Sequence, residues 1–413
     1  MVLSRRAFSL GLASVLAGCS KGGLTQIATR SSLDPAFLPQ SNASYDAWVA
    51  EFKNRARARG ITDTTLRAAF RGQGFLPGVI DRDQNQTEFK RSLEDYLAIV
   101  APEEKIAIGT EAYASERKSL AQVEAKYGVQ PEVMAAIWGL ESYFGTKRGS
   151  ISVVSATSTL AWEGRRRAFF ESNLMNALRI VQSGDARPNQ LVGSWAGAMG
   201  HTQLIPDAYQ THAVDFDGDG KRDIWSNDPI DAFATTARFL SKAGWRKGQP
   251  WGLEVTLPAG FDAPIGRKAR RSTEAWRALG VRAAAASSLP SSSSAAILAP
   301  MGVGKPAFLV YHNFNMILRY NPSENYGLGV GYLAHRLSGG GPIKGKFGRD
   351  KNGLTLDDRK TLQRALTRSG FDAGTPDGVV GRKTEAAIRA YQAVAGITVT
   401  GTPSQALLAS LTG

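Results

Sequence analysis

The 413-residue sequence is poor in the side chains that most often build redox and metal centres, with one cysteine and four histidines. A single cysteine cannot close an internal disulfide. No CxxC pair or HExxH motif is present, which excludes dithiol redox chemistry and the common zinc sites. The apolar run at residues 7–18 is shorter than the roughly 20 residues a membrane-spanning helix needs. Acidic residues are in deficit: 50 Lys and Arg face 36 Asp and Glu, for a net charge of +14. Such a surface favours anionic partners, whether nucleic acid, anionic lipid or an acidic polymer. What remains is a globular balance, 43% hydrophobic and 21% charged, which excludes wholesale disorder or a collagen-like fibre. At about 150 residues per domain the length implies two to three domains. Catalysis, if present, must come from carboxylates, hydroxyls or amides.

The lone cysteine is informative by position. Arg5-Arg6 precede the apolar run, which ends Leu16-Ala17-Gly18-Cys19. That order of basic, apolar and small residues is the pattern of an export signal. Leu-Ala-Gly-Cys resembles the lipobox of bacterial lipoproteins, which implies that Cys19 is the lipid attachment site and new N-terminus. Ser4-Arg5-Arg6-Ala7-Phe8 also resembles a twin-arginine export motif. The expected location is the periplasmic face of a bacterial membrane, the outer membrane in the first instance. Loss of residues 1–18 removes Arg5 and Arg6 and no acid, leaving 48 basic against 36 acidic residues, or +12. An exported chain meets wall and membrane, so nucleic acid is not expected as a partner.

Residues 19–42, rich in Ser, Thr and Pro, read as a tether. Helical periodicity is expected at 44–60, with Ser44 as N-cap, and at 62–70, 88–100, 106–127, 131–143, 168–183 and 229–243. Strand-like runs occur at 253–257 and 307–311. Residues 283–296 are of low complexity and read as a mobile surface insertion beside the basic run 267–271. The Gly-rich segment 339–352 reads as a linker. Beyond it, residues 353–413 carry three helical patterns. The first opens at Thr355 with Asp358, the second places Ala387, Ile388, Tyr391 and Val394 on one stripe, and the third holds Leu407, Leu408 and Leu411. These predict a three-helix bundle too small for a deep active site. Its Leu362-Gln363-Arg364-Ala365-Leu366, Gly370-Phe371, the run from Pro376-Asp377-Gly378 to Gly381-Arg382-Lys383-Thr384, and Tyr391-Gln392 resemble the type-1 peptidoglycan-binding domain.

The strongest chemical candidate is Glu141. Met134, Trp138 and Glu141, spaced by four and three, share a helical face with Ile137. A carboxyl closing an apolar, aromatic stripe is desolvated, and desolvation keeps its proton on, as a general acid requires. The competing reading turns Glu141 outward or pairs it with Lys147 or Arg148. Three segments then bear on the choice: residues 137–145 (Ile-Trp-Gly-Leu-Glu-Ser-Tyr-Phe-Gly), residues 193–206 (Gly-Ser-Trp-Ala-Gly-Ala-Met-Gly-His-Thr-Gln-Leu-Ile-Pro), and residues 319–326 (Arg-Tyr-Asn-Pro-Ser-Glu-Asn-Tyr). In this order they resemble the motifs of the B-type lytic murein transglycosylases.

The resemblance implies a lysozyme-like, α+β and mainly α, catalytic domain at 43–338 with a small β subdomain. It implies cleavage of the β-1,4 bond between N-acetylmuramic acid and N-acetylglucosamine, with 1,6-anhydromuramoyl ends and no required cofactor. Glu141 would act first as acid and then as base, so one carboxyl suffices where hydrolases use a pair. Ser194 and Gln203 would hydrogen-bond the sugar and its N-acetyl group. Tyr320, Asn321 and Tyr326 would line the cleft, and Tyr96 and Phe239 fall where the family places cleft aromatics. A hydrolytic muramidase and a non-catalytic wall-binding scaffold are the alternatives.

Asp215-Phe-Asp217-Gly-Asp219-Gly220-Lys221-Arg222-Asp223 fits the first nine positions of an EF-hand loop, with the Lys221 carbonyl at position seven. Position twelve is Ser226 rather than Glu. Related enzymes end such a loop with a later aspartate, which makes Asp231 the expected closing ligand of a structural Ca2+, with Asp228 as competitor. A metal-free Asx-rich turn is the other reading.

Overall fold

A computed structural model describes residues 34–85, 91–285 and 288–412. The export signal, Cys19, most of the tether and the predicted helix start at Glu88 lie outside the described residues. These divide into two compact units, one holding 34–85 and 115–242 and the other 91–114 and 243–412. Both are rich in helix, as the sequence reading expects. Among the described residues no helix is long and apolar enough to cross a membrane.

In the first unit, helix Ala43–Ala58 buries Tyr45, Trp48, Val49, Phe52 and Ala56. Its N-cap is Asn42 rather than Ser44: the Asn42 side chain accepts from the Tyr45 N–H, while the Ser44 hydroxyl donates to Asn42. The expected 106–127 helix is two helices, Glu103–Ser115 and Arg117–Tyr127, because Glu116 leaves helical geometry at the boundary between the units. Helix Val153–Glu163 gives no clear helical signal in the sequence, since Val, Ser and Thr dominate it. It is buried along most of its length because its hydroxyls are satisfied locally. Thr157 Oγ1 donates to Val153 O (2.6 Å), Ser158 Oγ to Val154 O (2.6 Å), and Thr159 Oγ1 accepts from Leu76 N (3.1 Å). It packs on helix Arg167–Ser183, whose buried face includes Phe170, Leu174, Leu178 and Ile180.

The second unit contains a five-stranded antiparallel sheet in the order Arg270–Arg271, Ala295–Leu298, Ala307–Val310, Gly252–Thr256, Arg282–Ala283. This corrects the reading of 283–296 as a mobile insertion. Ala295–Leu298 is a central strand, buried at every residue, and Ala283 pairs with Val255. The basic run supplies an edge strand. Val255, Trp276, Ile297, Leu309 and Tyr311 form the core of this subdomain. Helices His312–Tyr320 and Glu324–Leu337 follow, and neither is anticipated by the periodicity reading.

Residues 339–352 are not a free linker. The Glu254 carboxylate accepts the N–H groups of Lys344 (2.8 Å) and Gly345 (2.7 Å), and Lys305 Nζ donates to Phe347 O (2.6 Å). The C-terminal bundle follows as helices Leu356–Arg368, Arg382–Val394 and Gln405–Thr412 around Leu362, Leu366, Ile388 and Leu407. The Thr355–Asp358 capping box is present. Val394 departs from the expected stripe and is 79% exposed.

One buried cation fastens this bundle to the rest of its unit. Arg359 Nη2 meets Glu94 (2.8 Å) and Asp95 (2.9 Å), at the start of helix Leu93–Val100. Its Nη1 meets Asp350 (2.9 Å) and its Nε donates to Gly378 O (2.7 Å). Burial alone pushes the Asp350 carboxyl up, but hydrogen bonds from Leu354 N–H, Arg359 and Asn352 N–H outweigh it and hold it below its ordinary value. Removing Arg359 strands the buried Glu94. Arg359→Met is therefore expected to destabilise this unit by about 3–5 kcal/mol, measured by denaturant unfolding at neutral pH. The Asp350 contribution is present above its unfolded pKa of about 4 and is lost as pH falls through the lower folded value. The gap between variant and wild type should narrow in acid; a constant gap argues against the ion cluster.

Candidate active site

Glu141 sits half-buried in the last turn of helix Pro131–Ser142. Pro131 opens the helix and its interior is buried through Val133–Leu140. The helix stops because Tyr143 turns left-handed (φ 52°), followed by Phe144 (φ 54°) and Gly145 (φ 79°). Among the described residues only three non-glycine residues have positive φ: Tyr143, Phe144 and Gln203. Each is a strained conformation costing of order 1–3 kcal/mol, and such strain persists only where the surroundings enforce it. Two of the three lie two and three residues after Glu141, and the third is a predicted substrate ligand.

The enforcing group is His201, which is buried. Trp138 Nε1 donates to its Nδ1 (2.9 Å), so the imidazole is neutral with its proton on Nε2, facing Ser226 O at 2.7 Å. Burial, with Arg148 nearby, lowers the His201 pKa and keeps the ring in that form. Ser142 Oγ donates to His201 O (2.5 Å) and accepts from Gly145 N (3.0 Å). Gly145 allows the approach: a Cβ there would lie 2.6 Å from the imidazole. Phe144 packs edge-on against Trp138 at 5.6 Å.

Lys147 and Arg148 follow the turn. Arg148 Nη1 donates to Trp225 O and Ser226 O, both at 2.7 Å, and Lys147 Nζ lies over the Tyr143 ring at 4.7 Å. Gln203 Nε2 donates to Arg148 O (3.0 Å) and Gly200 O (2.9 Å). Those two bonds fix the amide orientation and leave Oε1 as the acceptor on offer. Ser194 Oγ accepts from Ala198 N (3.1 Å), which keeps its hydroxyl proton for donation. Phe239 is buried, with its ring 4.8 Å from that of His212.

Tyr96, Tyr320, Asn321 and Tyr326 belong to the other compact unit. Tyr326 is buried, and Tyr320 half-buried at the end of its helix. Asn321 is buried and its Oδ1 accepts from Ser323 N (3.1 Å). The Tyr96 ring lies against Gly329, where a Cβ would come within 2.8 Å of it. His201 and Arg148 carry the geometry around Glu141, and spacing gave no reason to single out either. The available signal was a histidine inside residues 193–206 in a chain with only four.

The acidic loop lies in the same unit as Glu141. Carboxylate oxygens of Asp215, Asp217 and Asp219 fall within 4.8 Å of one another, the span expected around one cation with ligands at 2.3–2.6 Å. Asp215 accepts from Gly218 N and Gly220 N, and Asp219 from Lys221 N, which shapes the turn. Asp231, 3% exposed, accepts from Phe216 N (2.7 Å) and Asp223 N (2.9 Å), tying both ends of the loop to helix Ile230–Ala243. Burial pushes its pKa up to about 6, with Asp217 and Asp215 adding to the rise. Asp228 instead accepts from Ile230 N. The donor set fits a hard cation held by Asp215, Asp217, Asp219 and the Lys221 carbonyl, and Ser226 continues the loop to the carbonyl that meets Arg148 and His201.

Residues 44–335 match the transglycosylase SLT domain and residues 355–411 a peptidoglycan binding domain. Membrane-bound lytic murein transglycosylase B of Escherichia coli (strain K12) is 33% identical over 217 residues, which are 51% of this chain. The match spans 58% of that relative's length. SltB3 of Pseudomonas aeruginosa, solved in complex with NAG-anhNAM-pentapeptide, is 42% identical, with a TM-score of 0.72 over 90% of this chain and 100% of that one. Escherichia coli Slt35, solved in complex with calcium, is 27% identical, with a TM-score of 0.60 over 72% and 93% of the two chains. With a family match across most of its length and a C-terminal peptidoglycan binding domain, the chain belongs to the SLT family of lytic murein transglycosylases.

Proposed function

We propose that the protein is a peptidoglycan lytic transglycosylase that uses Glu141 as its single acid and base. The observation that carries the reading is the strained turn behind Glu141, held by His201 through Trp138 and Ser142. It fixes a half-buried carboxyl at a helix end. In the proposed cycle the Glu141 carboxyl gives its proton to the glycosidic oxygen as the β-1,4 bond breaks. The substrate's N-acetyl oxygen stabilises the cationic carbon. Glu141, now a carboxylate, takes the proton of the muramoyl 6-hydroxyl, whose oxygen closes the 1,6-anhydro ring. The proton count balances and water is not consumed, so no second carboxylate is required. Gln203 Oε1 accepts from the N-acetyl N–H and Ser194 donates to the sugar. Tyr96, Phe239, Tyr320, Asn321 and Tyr326 are the remaining proposed glycan contacts. SltB3 supports the product, since its bound ligand is an anhydro sugar.

Calcium in the acidic loop is proposed as structural. Bound there, it would offset two of the three carboxylate charges and stiffen the segment that ends on Arg148 and His201. Slt35, solved with calcium, supports this assignment. Attachment through a lipid at Cys19, on the periplasmic side of the outer membrane, is supported by residues 5–19 and by the membrane-bound relative.

Glu141→Gln is expected to lower lytic activity by about 10²–10⁴-fold, with the melting temperature unchanged. Mass spectrometry of wild-type digests should show ends lacking one water relative to hydrolytic ends. Reducing ends would replace this reading with a muramidase, and undiminished activity in the variant would remove Glu141 from the mechanism. Calcium at 100 times its dissociation constant should stabilise the chain by about 2.7 kcal/mol over chelated protein, roughly 5–10 °C in melting temperature. The Asp231 carboxyl has a raised folded pKa, so its protonated form favours folding. In chelator, stability should fall as pH rises from about 4 to about 6. Asp231→Asn should flatten that profile; a flat wild-type profile and no calcium shift would refute the loop assignment.

A further inference from the structure

The basic run 267–271 and the serine-rich run before Ala295 have no part in the function above, yet the fold brings them together. Buried Thr273 donates its N–H to Ser292 O (2.8 Å) and its Oγ1 to Pro290 O (3.0 Å), and Tyr311 Oη donates to Pro290 O (3.0 Å). Residues 292–294 are thereby held as one wall of a pocket of about 520 Å³. Arg246, Gln249, Arg270, His312 and Asn315 line the rest, and among the described residues no carboxylate lines it.

Both arginines are positioned without a counter-charge. Arg270 Nε donates to Ser294 Oγ (2.8 Å) and Nη2 to Ser294 O (2.9 Å), while Nη1 is buried and meets no acceptor among the described residues. The Arg246 backbone is gripped by buried Asn313, which accepts its N–H and donates to its carbonyl, both at 2.8 Å. The Arg246 side chain is exposed. Neither residue has an ion-pair partner among the described residues, whereas the buried Arg359 has three. Burial, and then the like charge of Arg246, push the Arg270 guanidinium below its ordinary value. Two cations gathered in a polar hollow, one with an unmatched buried donor, describe half of an anion site.

We propose that this pocket binds an oxyanion, and that the source is a carboxylate of the peptide carried by peptidoglycan. Guanidinium forks match planar carboxylates in two-point contact, and the serine hydroxyls and the Asn315 amide add neutral donors. The volume exceeds that of a single ion and admits a short peptide end. Peptidoglycan supplies such a group: the ligand in SltB3 carries a pentapeptide. The inference rests on the peptidoglycan reading above and adds to it a subsite for the peptide, remote in sequence from Glu141.

The test is calorimetric titration of the full chain carrying Glu141→Gln, which prevents turnover. The probes are NAG-NAM-pentapeptide, NAG-NAM without peptide, and inorganic phosphate. Adding Arg246→Gln, an exposed change that spares folding, should weaken the pentapeptide ligand about 10-fold and leave NAG-NAM unchanged. Arg270→Lys, which keeps the charge but loses the fork, should reproduce part of that loss. Phosphate should compete with the peptide ligand in the parent and not in the Arg246 variant. Equal affinity of parent and Arg246→Gln for both anions overturns the site. Arg246-dependent phosphate binding with Arg246-independent peptide binding overturns the peptide as its source. Failure of the parent to bind NAG-NAM would count against the functional reading, separately from this pocket.

Discussion

The His201 imidazole is the constraint on which the geometry around Glu141 depends. It accepts from Trp138 inside the Glu141 helix, its backbone carbonyl receives Ser142, and its Nε2–H reaches the end of the acidic loop at Ser226. A protonated ring could not accept from Trp138, so the network requires the neutral form, which burial enforces. With that ring in place, the left-handed turn at Tyr143 and Phe144 can be held in spite of its strain. Arg148, two residues beyond the end of that turn at Thr146, then spans back to the same Ser226 carbonyl and receives Gln203 on its own. Glu141, Gln203 and the acidic loop are therefore positioned by one set of hydrogen bonds, and a change at any of them is felt by the others.

The other compact unit is organised by a different kind of interaction. Arg359 is buried with three carboxylates and a carbonyl, so its desolvation is offset by hydrogen bonds at Nε, Nη1 and Nη2. Replacing all of its charged members together with packed apolar residues would change stability little, but the cluster is exacting about placement. Together with the Glu254 bonds to Lys344 and Gly345, it makes the wall-binding bundle a fixed part of its unit. A glycine-rich segment of this length would, if free, let the bundle sample many orientations. Here the orientation relative to helix Leu93–Val100 is set by charge.

The legible parts of the chain were those where one residue type has one strong local consequence. Pro131 at a helix start, the Thr355–Asp358 capping box, the Asp-Gly alternation of the acidic loop and the apolar stripe of the Glu141 helix all behave as their chemistry demands. The parts that misled were those where tertiary contacts supply what local preference withholds. Val153–Glu163 is a helix because its hydroxyls bond to its own carbonyls and its small side chains permit close packing. Ala295–Leu298 is a central strand because its neighbours on both sides pair with it, although its composition continues that of a low-complexity run. The segment 339–352 is ordered by Glu254, ninety residues earlier in the chain. For the candidate site, residue identities could be read from motifs, but the strain and the His201 network could not. Positive φ at Tyr143, Phe144 and Gln203 contradicts local preference and follows only from the assembled surroundings.

The excess positive charge divides into two kinds of arginine, and the division bears on how this enzyme meets its substrate. Arg359, Arg336 and Arg222 are neutralised in place by Glu94, Glu103 and Asp185 and contribute little field beyond their own surroundings. Among the described residues Arg246 and Arg270 have no such partner. At physiological salt, fields fade over about 8 Å, so the net charge draws an anionic wall polymer toward the surface but cannot choose a register along it. Register requires short-range groups of fixed direction. The groups proposed above to contact the glycan, the Gln203 carbonyl and the Ser194 hydroxyl, are neutral, which suits the uncharged N-acetyl and hydroxyl groups of a glycan. A charged group beside a general acid would shift its proton affinity. On the readings proposed above, the protein uses the charge of Arg246 and Arg270 for attraction and the neutral Gln203 and Ser194 groups for register on the glycan.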